Sequence, residues 1–506
     1  MAAPTSPAES SSEPALVGLL DLAGSQELGD DLPLVAVADD GVGQVVAGLL
    51  EHPIDEVVEI GQRGRRVVVQ LLVERGHLAF PLVPVDSGVV HPSGPARLLP
   101  TSNPSSIRRV NVLVVGSGGR EHALIWALSR SRGLSELHAA PGNPGIAALA
   151  RCHPVRADDP ASIVPLAMEL RVDLVVVGPE APLVAGLADE LRHQGIAVFG
   201  PSADAARIEG SKAFAKDVME AADVPTARTL TVARPPCVVK ADGLAAGKGV
   251  WVCRTQDELD EGLRAAQSLG QPFHVEELLE GDEVSIFALS DGRHAVPLPA
   301  AQDYKRIADG DEGANTGGMG SYSPVTGVDP GELVERVCAP ILGELSQRRA
   351  PFVGVLFAGV MLTADGPRVL EYNCRFGDPE TQSLLPRLEG DLLEALAAAA
   401  SGSLGGISLP VSDRAAVTVV LAGGEYPAQG DSGTPVEGIS DAEALGALVF
   451  HAGTALHDGR LVTNGGRILN VTGIADSIDE ARAAAYEAAS CIHFNGMQFR
   501  HDIAHA

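Results

Sequence analysis

The stretch NVLVVGSGGREHA, residues 111–123, decides how the chain folds. Val112 to Val115 run unbroken into Gly116, the signature of a strand covered on both faces. An apolar-periodic segment at about 121–131 follows as a helix. Glycines at such a junction let the backbone approach an anion at the positive helix end. Working outward, ELHAA (136–140), DLVVVG (173–178) and IAVFG (196–200) read as further strands, with a helix near 184–194. This alternation predicts a parallel sheet with helices on both faces. As a dinucleotide fingerprint the turn is weak. Glu121 stands at the third glycine position, and the second strand runs into PGNPG without an acid to hold a ribose. A phosphate on a smaller substrate fits better than NAD; a tight turn without ligand stays open.

The chain has 506 residues, 45% of them apolar, enough for several domains with substantial cores. Its formal net charge of −29 makes nucleic acid an unfavourable partner. Six cysteines without a CxxC pair read as free thiols of a reducing cytoplasm. No apolar run reaches the roughly 18 residues of a membrane span, and no signal peptide is read. Lysine is rare. The only five are Lys212, Lys216, Lys240, Lys248 and Lys305, in a chain that otherwise uses arginine. Lysines kept in such a background suit positions that need a compact charge on a phosphate; chance clustering is the plain alternative.

Four further motifs carry chemistry. In KADGLAAGKGV (240–250) a strand delivers Lys240 and a glycine-rich loop carries Lys248, a pairing able to close over a triphosphate. It lacks the spacing of a P-loop, and a plain hairpin remains possible. VEELLEGDEVS (275–285) sets Glu276, Glu277 and Glu283 where an adenine edge and ribose hydroxyls could be read, although acidic turns are more often only solvated. NTGGMGSYSP (315–324) offers a nest of backbone donors at Asn315, Thr316, Gly317 and Gly318 for an anionic or acyl-phosphate ligand, and QDYKR (302–306) adds Asp303, Lys305 and Arg306. VLEYNCRFGDPETQ (369–382) is the most specific. Glu371 and Asn373 share one face of a strand, an arrangement that suits magnesium bridging phosphates. Arg375 follows on that face, able to meet a phosphate or carboxylate, with Asp378 and Glu380 in the loop.

These segments in this order, with EGSKAFAK (209–216), resemble the phosphoribosylamine–glycine ligase (glycinamide ribonucleotide synthetase) family of the ATP-grasp superfamily, from about Val110 to the C-terminus. The resemblance implies an α/β protein. Residues 110–209 would form an N-terminal parallel-sheet domain, Rossmann-like and similar to the first domain of biotin carboxylase. Residues 210–408 would form an ATP-grasp domain with a small mobile lid at about 228–275, and 409–506 a C-terminal α/β domain. The implied activity joins glycine to phosphoribosylamine at the expense of ATP, the second step of de novo purine synthesis. Glycyl phosphate forms first, and the amine then displaces phosphate. Position by position, Lys212 and Lys240 match the phosphate lysines, with Lys248 in the loop. Glu276, Glu277 and Leu278 match the adenine segment, and Glu283 the ribose carboxylate. Glu371 and Asn373 match the ligands of Mg2+ or Mn2+. Lys240, Arg375 and Asp303 are the implied catalytic group; Asn315, Thr316, Gly317, Gly318 and Arg375 stand on the substrate side. Gly116, Gly118, Gly119, Arg120 and Asn143 would face phosphoribosylamine. The implied partners are small molecules only, met by a cytoplasmic monomer without nucleic acid or membrane.

Three departures stand out. Tyr372 and Cys374 replace the family's usual phenylalanine and alanine, pointing away from the metal face. The segment 229–237 is too short for a helix the family usually has there, which puts the packing of the lid in question. Residues 1–109 have no family counterpart; they begin Ser/Pro-rich and read as disordered, or as a mis-assigned start with Val110 the true first residue. Another ATP-grasp enzyme, such as a purine-pathway carboxylase, is disfavoured by NTGGMG and RFGDPETQ. A non-catalytic nucleotide-binding module is disfavoured by Lys240, Glu371, Asn373 and Arg375. GGEYP (423–427) and TNGGRILNVTG (463–473) read as turns and strands that complete the nucleotide cleft, with no chemistry assigned.

Overall fold

The computed structural model describes residues 109–243 and 249–505, together with two antiparallel strand pairs, Ala36–Val37 with Val45–Val46 and Val58–Gln62 with Arg65–Val69. Those strand pairs apart, the expectations for the N-terminal extension lie outside the described residues, as do Lys248 and the loop at 244–248.

Val110–Gly116 is the middle strand of a five-stranded, wholly parallel sheet. Leu134–Pro141 and Leu174–Val177 flank it, with Arg151–Cys152 and Ala197–Phe199 at the edges. Val112, Leu113, Val114 and Val115 are fully buried. Because successive side chains leave opposite faces, Leu113 and Val115 join a core with Ile163, Leu183 and Leu191, while Val112 and Val114 join one with Leu124 and Leu128. Each such side chain contributes about 2 kcal/mol. The strands expected from the sequence are all present. The two-residue strand Arg151–Cys152 and the helix Pro160–Glu169 were not expected; the first is too short to show a pattern.

Two antiparallel sheets follow. Cys237–Ala241 lies between Val250–Cys253 and Phe273–Glu277. The helix Gln256–Ser268, capped by Thr255 and Glu258, packs its Leu259 on one face of this small sheet, against Cys237, Val239, Cys253 and Val275. Among the described residues no helix lies between Ala221 and Cys237. The second sheet orders Ala295–Pro297, Asp282–Asp291, Val353–Thr363 and Gly366–Asn373.

The last sheet takes strands from both sides of the boundary drawn at 408/409. Gln302–Asp303 and Gly320–Ser323 continue through Ala415–Ala422 to Arg467–Ala475 and Leu448–His451, with helix Ile478–Ala489 packed on it. The QDYKR and NTGGMG segments are therefore fixed by the C-terminal sheet while their side chains serve the ATP-grasp core.

Candidate active site

Glu371 and Asn373 leave one face of Gly366–Asn373, opposite Gly359 and Phe357 of the neighbouring strand. Gly359 lies against that face: a Cβ there would stand 3.6 Å from Glu371 Cγ and 3.7 Å from Glu283 Oε1. Burial pushes the Glu371 carboxyl up, but Lys305, Lys240, Lys212 and Arg375 together hold it below its ordinary value. These four cations come from four separate segments of sequence. Lys305 also pairs with Glu283. Burial works against its charge, yet Glu283, Asp303 and Glu371 raise it well above the usual lysine value. Asp303 is pushed well above the carboxylate range by burial, with Glu380, Glu283 and Glu371 adding and Lys305 opposing.

Arg375 is braced on three sides. Its Nη2 donates to Glu209 Oε1 at 2.8 Å and Asn373 Oδ1 at 3.1 Å, and its Nε to Glu180 Oε2 at 3.3 Å. Burial lowers its pKa, but Glu209 and Glu180 raise it by more. Lys212 opens the helix Lys212–Ala221 behind the cap of Ser211, and its Nζ donates to Gly243 O at 3.1 Å. Burial lowers its pKa. Tyr372 and Cys374 are buried away from this face, as expected. Tyr372 Oη donates to Val337 O.

Several of the expected site residues have partners within the chain. Glu276 is 1% exposed, and its carboxylate holds Lys240 at 2.7 Å, Lys216 at 2.8 Å and His274 at 3.0 Å. It anchors Lys240, whose Nζ also donates to Leu370 O at 2.9 Å. Glu277 is likewise taken by Arg228 and Arg368, while Leu278 lies half-buried just beyond the strand end. Glu283, expected at the ribose, faces Lys305 beside Glu371. The NTGGMG nest is not a set of free donors. Thr316 N donates to Lys305 O, Gly317 N to Tyr426 Oη and Gly318 N to Thr316 Oγ1. Asn315 Nδ2 reaches Val250 O at 3.4 Å.

The N-terminal turn also differs from expectation. Glu121 caps its own helix by accepting Gly118 N at 2.6 Å, and it takes Arg120 Nε at 2.6 Å. A resident carboxylate thus occupies the positive helix end. A Cβ on Gly116 would strike Glu121, and one on Gly119 would strike Asn470 and Gln382. These glycines permit close packing. Asn143 spends both Nδ2 hydrogens on Ser117 O and His451 O, each at 2.8 Å, and Oδ1 on Ile146 N, which leaves it a brace between loops. Arg120 also donates to Phe376 O at 3.2 Å, joining this turn to the RFGD loop.

Residues that sequence reasoning gave no role complete the cluster. Glu180 and Glu209 hold Arg375. Glu380 is 3% exposed and accepts Ser285 Oγ at 3.2 Å. Arg467 donates to Gly317 O and Asp378 O, both at 2.6 Å. Glu209 lies inside EGSKAFAK and Arg467 inside TNGGRILNVTG, so the signals were present. What the local pattern lacked was the partner, which lies 166 residues away for Glu209 and 89 for Arg467.

Three family models of phosphoribosylglycinamide synthetase match the chain in succession: the N domain over residues 110–209, the ATP-grasp (A) domain over 210–381 and the C domain over 416–506. The chain belongs to the phosphoribosylamine–glycine ligase family. The Streptomyces coelicolor phosphoribosylamine–glycine ligase is 50% identical over 414 residues, covering 78% of this chain and 99% of its own. That of Brucella melitensis biotype 1 is 47% identical over 419 residues, covering 78% and 97%. A crystal structure of the Thermotoga maritima phosphoribosylamine–glycine ligase superposes with a TM-score of 0.67 at 33% identity, over 78% of this chain and all of the other. The biotin carboxylase domain of Hydrogenobacter thermophilus 2-oxoglutarate carboxylase shares the fold at 17% identity, with a TM-score of 0.58 over 77% of this chain and 92% of its own. Within the family, the cation cluster around Glu371 falls in the span matched by the ATP-grasp domain.

Proposed function

We infer that the chain is an ATP-dependent ligase that joins glycine to 5-phosphoribosylamine through glycyl phosphate, releasing glycinamide ribonucleotide, ADP and phosphate. The relatives named for this reaction support it. The observation on this molecule that carries it is the convergence of Lys212, Lys240, Lys305 and Arg375 on Glu371. Lysines and an arginine gathered beside Glu371 and Asn373 suit the phosphates of a nucleotide.

Glu371 and Asn373 fit a small divalent cation. Both offer oxygen from one face, and Glu371 stays ionised. Among the described residues no group of three or more His, Cys, Asp or Glu side chains could hold a metal by itself. The oxygen pair of Glu371 and Asn373 suits magnesium, or manganese, whose remaining ligands nucleotide phosphates would supply. When bound, the ion would neutralise phosphate charge. The chain's own side chains do the rest. Lys240, fixed by Glu276 and the Leu370 carbonyl, and Lys212 face the phosphates. Arg375, held rigid by Glu180 and Glu209, orients the anionic end of a substrate. Asp303, with its raised pKa, is placed to hold a proton that the attacking amine gives up. No side-chain nucleophile is required; positioning and charge neutralisation suffice.

No helix among the described residues is long and apolar enough to cross a membrane. The six cysteines are free, which supports a reducing cytoplasm as the working compartment, and we propose a monomer acting on small molecules alone. ADP release measured with glycine and phosphoribosylamine, singly and together, tests the reading. Release should require both, and Glu371→Ala should lower kcat by about a hundredfold or more. Release with neither co-substrate, or an unaffected variant, would refute it.

A further inference from the structure

The segment MQFRHDIAHA, 497–506, closes the chain and has no part in the chemistry above. Its Arg500 is one of the largest fully buried side chains, at 1% exposure. The guanidinium is gripped by Asp502, with Nε to Oδ1 at 2.7 Å and Nη2 to Oδ2 at 2.6 Å. From there it reaches the hairpin that carries Lys305. Nη1 donates to Asp311 Oδ1 at 2.7 Å and to the Arg306 carbonyl at 3.2 Å, and the group lies over the Tyr304 ring, 4.8 Å from its centre. The two chain neighbours of Lys305 are thus both held by one arginine. The surrounding tail repeats the pattern. Gly310 N donates to Asp502 Oδ2 at 2.8 Å, His501 N to Asp309 Oδ1 at 2.7 Å, and Ala504 N to Tyr304 Oη at 2.9 Å. The far side of the hairpin is fixed because Thr316 N and Oγ1 both donate to Lys305 O.

We propose that Arg500 is a positioning residue for Lys305. The C-terminal tail clamps the hairpin Arg306–Ala308 with Glu312–Asn315 so that the Lys305 ammonium stays between Glu283 and Glu371. The physical case is one of stiffness. A two-stranded hairpin with largely exposed strands has little stability of its own, and a displacement of about 1 Å at a charge in the site can cost up to a hundredfold in rate. A buried, forked arginine with a stacked ring supplies the missing rigidity, which lysine cannot reproduce. The proposal rests on the reading that Lys305 belongs to the reacting site.

The test uses full-length protein carrying Arg500→Ala, Arg500→Lys or Asp311→Asn, the last removing a charge from an exposed side chain of the hairpin only. Hydrogen exchange of peptides covering 304–316 should accelerate in Arg500→Ala, with Ala415–Ala422 still protected. Its kcat should fall about tenfold, while the KM for ATP moves by less than about threefold, since ground-state binding is shared with other cations. Arg500→Lys should lie between Arg500→Ala and wild type. Asp311→Asn should show a smaller effect in the same direction that does not add to Arg500→Ala. Unchanged exchange in 304–316, or effects of Arg500→Ala and Asp311→Asn that multiply independently, would overturn the proposal. Wild-type protein without ligase activity would sink the functional reading instead, and the exchange measurement would still decide whether the tail holds the hairpin.

Discussion

Replacing Glu276 by Gln takes the paired carboxylate from buried Lys240 and half-buried Lys216. Burial pushes the Glu276 carboxyl up, but the bond from His274 and the charges of Lys240 and Lys216 bring it down to about 2. A folded pKa below the ordinary carboxylate value gives stabilisation that is complete above that ordinary value. It is lost as pH falls through about 2. Glu276→Gln should therefore lower unfolding free energy at neutral pH by about 3 kcal/mol, the usual cost of breaking a buried pair. It should also raise the KM for ATP by freeing Lys240. Urea titration and steady-state kinetics check the two effects; a variant as stable as wild type would show that Lys240 does not depend on this carboxylate. The motif VEELLEGDEVS was legible in the sequence, but the job of its first acid was not. Lys216 and Lys240 lie 60 and 36 residues before it, and only folding brings them onto Glu276.

The helix Gly119–Ser129 and the strand Leu448–His451 meet through two histidines. His451 N donates to His122 Nδ1 at 2.8 Å, and the rings stand edge to face with centroids 5.6 Å apart. Nδ1 must be an acceptor, so the His122 ring is neutral. Burial, then the neighbouring His451, lowers His122 to about 3; burial lowers His451 to about 4. The unfolded chain binds protons from about pH 6.5 downward that the folded chain refuses. Stability is thus complete above that value and falls as the pH drops toward the folded pKa values. His122→Asn retains an acceptor and removes one of the two rings. Between about pH 7 and pH 5 the variant should lose about 2 kcal/mol less stability than wild type. Equal losses in paired urea titrations would show that His122 does not control this range. At the scale of elements the sequence was read well where burial writes a pattern. The unbroken apolar runs of the parallel strands are where periodicity put them. The turns were read less well. GSGGRE looks like an anion cradle until Glu121 is seen folded back onto Gly118, and NTGGMG looks like a donor nest until Tyr426 arrives from the turn that follows Ala415–Ala422.

In the whole molecule, the site lies where the N-terminal turn, the ATP-grasp strands and the C-terminal sheet come together. Asn143 reaches His451, Arg120 reaches Phe376 and Arg467 reaches Gly317. The sheet that carries Asp303 is completed by Ala415–Ala422 and Arg467–Ala475, so a division of the chain at 408/409 separates strands that pair. Such joins cannot be read from local sequence, because a strand carries no mark of its partner. The central claim is that this assembly activates the glycine carboxylate by phosphorylation before the amine attacks. Glycine labelled with 18O in its carboxylate tests it most directly. One labelled oxygen should appear in the inorganic phosphate for each glycinamide ribonucleotide formed, since the oxygen that attacks the γ-phosphorus leaves with it. Unlabelled phosphate, with product still made, would contradict the account.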